Sequence, residues 1–265
     1  MHDKQILVPI VTPFNDRMDV CRQSVVNIMS RLYDHAYGVV PCLTSGEGWC
    51  LDSHQWSDMV RYCVSNAGGL KVIAGIEKAT TAEVLRFVKI AQSLGVDGVM
   101  LTTPFGKNVT QPQMLEHFRE VHHQSECDLW IYHEQPLSNN LLTLESLLAI
   151  SSLPRVTGIK DSGEDHAIID NIERFDELNV KVYHGWENRL VIGEKVTGNI
   201  VSLSNLEPAI CQQATRCVSD LDLQSKIDSL CEKFSLTEVD WYRHVKNELW
   251  QRGVISTQRI AAEPS

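Results

Sequence analysis

Apolar residues in this chain follow two alternating rhythms. Short continuous apolar runs, such as "KVIAGIE" (71–77) and "LWIYHE" (129–134), predict strands buried on both faces. Between them, apolar residues three and four apart predict helices; in "DVCRQSVVNIMSRLYDHA" (19–36) these are Val25, Ile28, Met29 and Leu32. The clearest helix is "TTAEVLRFVKIAQSLG" (80–95), opened by a Thr80-x-x-Glu83 capping box and closed by Gly95. Strands are expected over 5–14, 38–44, 71–77, 98–105, 129–134, 156–162, 180–185 and 199–204. Helices are expected over 19–36, 53–68, 80–95, 111–126, 143–154, 165–178 and 188–198, with more across 207–252 and a loosely held tail over 256–265.

Eight strands, each followed by a helix, is the count of a (β/α)8 TIM barrel with additional C-terminal helices. Residues 1–206 would form the barrel core, and 207–265 the last barrel helix and a helical extension of the same domain. The competing architecture is a doubly wound open sheet. That fold usually carries G-x-G-x-x-G after its first strand, where this chain reads "VTPFNDRMD".

The composition, 43% hydrophobic and 22% charged, is that of an ordinary globular protein. A net charge of −10 argues against nucleic-acid binding, which needs a basic face. The apolar runs are strand-sized, so no membrane span is expected, and "MHDKQILVPI" lacks a signal-peptide shape. The eight cysteines (21, 42, 50, 63, 127, 211, 217 and 231) form no C-x-x-C pair. They read as reduced thiols of a cytoplasmic protein, with no metal site expected.

In a barrel of this kind the site forms at the carboxyl ends of the strands. Lys71 and Lys181 start strands, on the opposite face, whereas Lys78, Lys107 and Lys160 fall on the site face. Only Lys160, in "VTGIKDS", directly closes an apolar strand. An amine desolvated there can attack a carbonyl and form a Schiff base. Taken alone, Lys160 reads slightly better as a surface residue pairing with Asp161 or Glu164. Thr44, Ser45 and Tyr132 fall at the same barrel mouth. A tyrosine there can move protons, and the "TSGEG" turn (44–48) offers hydroxyls and backbone N–H groups to a carboxylate. The set suits a 2-oxo acid. The plainer alternatives are a core tyrosine and an ordinary strand-to-helix loop.

These residues are also familiar as a set. "TSGEGWCLDSHQW", "VIAGIEKATTAEVLRFVKIAQSLGVDGVMLTTPF", "IYHEQPLS", "VTGIKDSGED" and "VKNELWQRGVIS" resemble, in order, segments of the dihydrodipicolinate synthase / N-acetylneuraminate lyase family. The resemblance covers nearly the whole chain. It implies class I aldolase chemistry, with Lys160 forming an imine with pyruvate and Tyr132 shuttling protons. Thr44 and Ser45 would hold the carboxylate, and Gly185 and Val201 would place backbone groups around the imine. The resemblance implies no metal or organic cofactor, and a homodimer or homotetramer.

The departures bear on the subfamily. Leu137 stands where the synthases carry the arginine that binds the second substrate's carboxylate. Phe105-Gly106 replaces a Tyr-Tyr pair, one of which is lent to the neighbouring subunit, and Asn139 replaces a glycine. "PLS" (136–138) and "GWEN" (185–188) are nearer the neuraminate lyases, so Glu187 and Asn188 are candidates to bind substrate hydroxyls; a glutamate at a helix start is equally ordinary. His133, Glu134, Trp49 and Trp186 are candidates to shape the pocket of an unidentified aldehyde or acid partner. The leading expectation is a pyruvate-dependent aldolase or lyase. The alternatives are a 2-oxo-deoxy-acid dehydratase using the same imine, a dihydrodipicolinate synthase, and a non-catalytic binding protein.

Overall fold

The computed structural model describes residues 4–163, 166–191, 195–217 and 219–261. Within them, eight strands close into a parallel barrel in sequence order: β1 (Gln5–Val8), β2 (Gly38–Val39), β3 (Lys71–Ile76), β4 (Gly98–Leu101), β5 (Asp128–His133), β6 (Val156–Asp161), β7 (Lys181–His184) and β8 (Gly198–Ile200). The helices are α1 (Arg22–Ser30), α2 (Ser53–Ser65), α3 (Thr81–Leu94), α4 (Gln111–Gln124), α5 (Leu144–Ser151), α6 (Ile172–Glu177), α7 (Pro208–Ala214), α8 (Leu221–Lys233) and α9 (Trp241–Gln251). The fold is a TIM barrel with additional C-terminal helices. No helix among the described residues is long and apolar enough to cross a membrane.

Strand alternation divides the core in two. Leu7, Ile73, Met100, Trp130, Tyr132, Tyr183 and Ile200 pack inside the barrel. Their neighbours Ile6, Val8, Val72, Ala74, Val99, Leu101, Leu129, Ile131 and Val182 pack outward against the helices. Burial on both faces explains the unbroken apolar runs. Trp130 fills the barrel interior because Gly158 lies across from it: a Cβ on Gly158 would come within 2.3 Å of the indole. This places an apolar plug one inward position before Tyr132 and Lys160.

Several boundaries differ from the sequence reading. The first strand ends at Val8, not residue 14, since Pro9 and Pro13 have no N–H for a ladder. Pro9 O instead accepts from Asn205 Nδ2 at 3.1 Å. Pro41 and the left-handed Cys42 (φ 59°) likewise stop β2 at Val39. At Thr80 only half of the capping box forms: Thr80 Oγ1 accepts from Glu83 N, but the Glu83 carboxylate accepts from that same hydroxyl rather than from the backbone.

The helix expected over 165–178 shortens to a 3-10 turn at Ile169–Asn171 followed by α6; its first residue, Asp165, lies outside the described residues. The helix expected over 188–198 is not seen. Glu187–Arg189 makes one 3-10 turn, residues 192–194 lie outside the described set, and Gly198 already begins β8. Val196 and Thr197 are β-branched and favour extended backbone. Thr197 N donates to Val182 O (2.8 Å) while Thr197 O accepts from Gln5 N (2.9 Å), which leads the chain into the barrel. The expected loose tail is tied down through residue 261: Ser256 N donates to Ser24 Oγ, Thr257 Oγ1 to Phe14 O and Ala261 N to Glu47 Oε2.

Candidate active site

Register builds the site. Lys160 pairs with Tyr132 on one side and Tyr183 on the other, so all three project into the barrel. Lys160 Nζ lies 4.1 Å from the centre of the Tyr132 ring, and both residues are buried. They line a cavity of about 130 Å3 with Thr44, Ser45, Ser162, Gly185, Glu187 and Ser202, walled by Pro136, Leu137, Trp186, Leu236 and Trp241. Gly185 keeps the lysine's space open: a Cβ there would lie 2.0 Å from Ser162 Oγ and 3.1 Å from Lys160 Cε.

The other two lysines on this face are occupied elsewhere or remote. Lys78 Nζ donates to Gly48 O (2.9 Å) and Leu51 O (3.1 Å) and lies over the Phe87 ring. Lys107 is exposed. The expected pairing of Lys160 with Glu164 lies outside the described residues.

The "TSGEG" turn is a 3-10 turn over Thr44–Gly46 with Glu47 in the left-handed region. Its geometry narrows the expected anion nest. The N–H groups of Gly46, Glu47 and Gly48 bond to Leu43 O, Thr44 O and Leu43 O. The N–H groups of Thr44 and Ser45, at the start of the turn, have no partner within it. Ser45 Oγ lies 2.9 Å from Ser202 Oγ and accepts from Trp241 Nε1 at 3.3 Å. Thr44 Oγ1 donates to Glu77 Oε1 at 2.5 Å.

The two acids on the cavity wall are held by backbone. Glu187 Oε1 accepts from Ser202 N (2.8 Å) and Leu203 N (3.2 Å). Removal from water pushes its pKa up, against the pull of those N–H groups. Glu134 Oε2 accepts from Leu137 N (2.8 Å) and Oε1 from Ser138 N (3.1 Å), which folds the loop after β5 over the cavity.

Of the residues singled out from sequence, Lys160, Tyr132, Thr44, Ser45, Gly185, Glu187, Glu134 and Trp186 come together at the cavity. Val201 does not reach its wall. Its side chain belongs to the outer core and its carbonyl accepts from Ser204, while Ile200 and Ser202 face the cavity. Asn188 is exposed, Trp49 packs edge-on to Tyr242, and His133 is buried behind the wall. Sequence reasoning missed Leu236, in the link between α8 and α9, and Trp241, which opens α9; neither sits in a local motif.

It also missed the post that fixes them. Lys246 of α9, fully buried, makes an ion pair with Glu47 of the turn and donates to Arg259 O at 2.9 Å. Buried Lys and Glu are rare unless paired, but their partners stand 199 residues apart.

A family model described as the Dihydrodipicolinate synthetase family matches residues 2–264. The chain belongs to that family. It is 29% identical over 235 residues to a 4-hydroxy-tetrahydrodipicolinate synthase of Ruegeria pomeroyi, covering 84% of this chain and 80% of that protein. It is 30% identical over 162 residues to an uncharacterized DapA-like lyase of Halobacterium salinarum, covering 60% and 53%. Among solved structures, the dihydrodipicolinate synthase of Acinetobacter baumannii, complexed with pyruvate, superposes with a TM-score of 0.87 at 23% identity, covering 99% of this chain and 93% of that one. YagE of Escherichia coli K12, also in complex with pyruvate, gives a TM-score of 0.85 at 17% identity, covering 100% and 93%. The chain is thus placed among lyase-type enzymes of the dihydrodipicolinate synthetase family.

Proposed function

We propose that this protein is a pyruvate-dependent class I aldolase that makes or cleaves a C–C bond in a 2-oxo acid. The observation that carries the reading is the pairing of Lys160 and Tyr132 at the floor of one cavity, amine over ring at 4.1 Å. Lys160 attacks the pyruvate ketone and becomes an iminium, which draws electrons from the adjacent methyl carbon and yields an enamine nucleophile. Tyr132 gives and takes the proton of the aldol hydroxyl. The N–H groups of Thr44 and Ser45, with the Ser45 hydroxyl, hold the pyruvate carboxylate. Glu187, anchored at the start of the turn over Ser202–Asn205, orders the opposite wall. The lysine itself supplies the electron sink, so the reading calls for no further cofactor.

Relatives named as synthases favour the dihydrodipicolinate synthase reaction as a second reading. The cavity wall speaks against it. Leu137 lines the wall, and among the described residues its one basic side chain is Lys160, which the imine uses. A second carboxylate would be desolvated there beside Glu134 with no positive partner. The favoured partner is therefore a carbonyl compound without a carboxylate. Eight free cysteines are consistent with a reducing, cytoplasmic setting, and the family resemblance supports a homo-oligomer.

Deuterium exchange tests this reading without knowledge of the partner. Pyruvate incubated with enzyme in D2O should lose its methyl proton signal through the imine and enamine, and Lys160→Ala should stop the exchange. Exchange by Lys160→Ala at the wild-type rate would remove the mechanism.

A further inference from the structure

Glu77 follows β3 and is wholly buried, yet only one of its oxygens is satisfied: Oε1 accepts from Thr44 Oγ1, and Oε2 is buried without a partner. A half-satisfied carboxylate away from water is expensive. Lys78, the next residue, does not relieve it, because that ammonium is turned to the carbonyls of Gly48 and Leu51. Thr44 stands between Glu77 and the cavity that Lys160 lines.

The hydroxyl can be used in two ways. With Glu77 ionised, Thr44 donates to it and shows the cavity only lone pairs. With Glu77 protonated, Glu77 donates to Thr44, and the Thr44 O–H is free to donate into the cavity. An incoming 2-oxo acid and its carbinolamine hydroxyl both call for a donor.

We propose that Glu77, acting through Thr44 as a positioning residue, holds the proton consumed when the Lys160 carbinolamine loses water, and then serves as the counter-charge of the iminium. This rests on the imine reading above. The step balances. Glu77 passes its proton to Thr44 Oγ1 as Thr44 passes its own to the carbinolamine oxygen. The C–O bond breaks, water leaves, and the nitrogen lone pair forms C=N⁺. A neutral amine and a neutral acid thereby become an iminium and a carboxylate, with no net charge added to the buried site. Hydrolysis of the imine after the aldol step returns the proton by the same route.

The groups around Glu77 fit this exchange. Burial pushes its pKa up to about 8; the Thr44 hydrogen bond opposes this, the Glu134 carboxylate adds to it, and Lys160 and Lys78 pull against it. The Cys42 thiol, also buried, faces it from the exit of β2 and is itself pushed up. The acid form therefore predominates below the raised value and is lost above it.

The test is the rate of imine formation, measured by rapid borohydride quench with pyruvate and intact mass, as a function of pH. In the wild type the rate should fall above pH of about 8, nearing tenfold per unit once Glu77 is ionised. Glu77→Gln cannot supply the proton. It should be slower by roughly 10²-fold and lack that alkaline limb, with the pyruvate dissociation constant changed far less. Thr44→Val breaks the route while leaving Glu77 in place, and should give the same loss if Glu77→Gln does not fold. Wild-type rate and wild-type pH profile in either folded variant would overturn the proposal. Absence of any wild-type adduct would instead overturn the imine reading on which it rests.

Discussion

Lys160 Nζ sits 4.1 Å above the centre of the Tyr132 ring, and the two residues are register partners on β6 and β5. The ring and the hydroxyl can therefore be separated by experiment. Tyr132→Phe keeps the ring beneath the amine and removes only the proton carrier. Imine formation with pyruvate should persist, while turnover of the full reaction should fall by roughly 10²- to 10⁴-fold. Stopped-flow imine formation beside steady-state kcat checks this; equal losses in both would contradict the assigned role.

Under the proposed function, Leu137 is the position that most directly sets the partner. Leu137→Arg would add a guanidinium to a wall whose one basic side chain among its described residues is Lys160. Preference for a carboxylate-bearing aldehyde such as succinic semialdehyde, over an uncharged aldehyde of similar size, should rise by about tenfold or more, the worth of one charge-assisted hydrogen bond. Unchanged kcat/KM ratios across such a pair would place the selecting group elsewhere.

The barrel was readable because its strands are buried on both faces, so apolar runs broke only at turns and helices. Lys160 and Tyr132 were legible for the same reason, as polar residues at the exits of apolar strands. The 188–198 segment was not. "NRLVIGEKVTG" has helical spacing, but Thr197 is claimed by backbone bonds to β7 and β1 that no local pattern encodes. Val201 was placed at the imine one residue out of phase: Ile200 faces the barrel and Val201 the outer core. Trp241 and the Glu47–Lys246 pair were out of reach because each depends on a contact between the second strand's exit and α9.

That pair makes its own prediction. Lys246→Met leaves the buried Glu47 without its ion-pair partner, with Ala261 N still donating to it. The variant should lose about 3–5 kcal/mol of stability, and the Glu47→Gln/Lys246→Met double variant should recover a large part of that. α9 also carries Trp241, so weaker binding of the partner aldehyde should accompany the single change. Denaturant melts of the cycle decide it; strictly additive losses would mean that the pair is not coupled.

His117 gives the stability a pH dependence. It is 2% exposed, with Nδ1 2.9 Å from Thr81 Oγ1, and burial depresses its pKa to about 4. The folded value lies below the unfolded one of about 6.5, so between these pH values the unfolded chain binds the proton and the folded chain does not. The contribution is whole above pH 6.5 or so and shrinks as pH falls toward 4, by on the order of 3 kcal/mol. Relative to His117→Asn, the wild type should lose that amount between pH 7 and 4; parallel curves would show that His117 titrates normally.

The most direct measurement is chemical capture of the imine. The protein is incubated with pyruvate, reduced with borohydride, weighed intact and mapped by peptide. A single stable adduct on Lys160, absent from Lys160→Ala, is the expected result. No adduct at saturating pyruvate, or an adduct carried by Lys78, would contradict Schiff-base catalysis by Lys160.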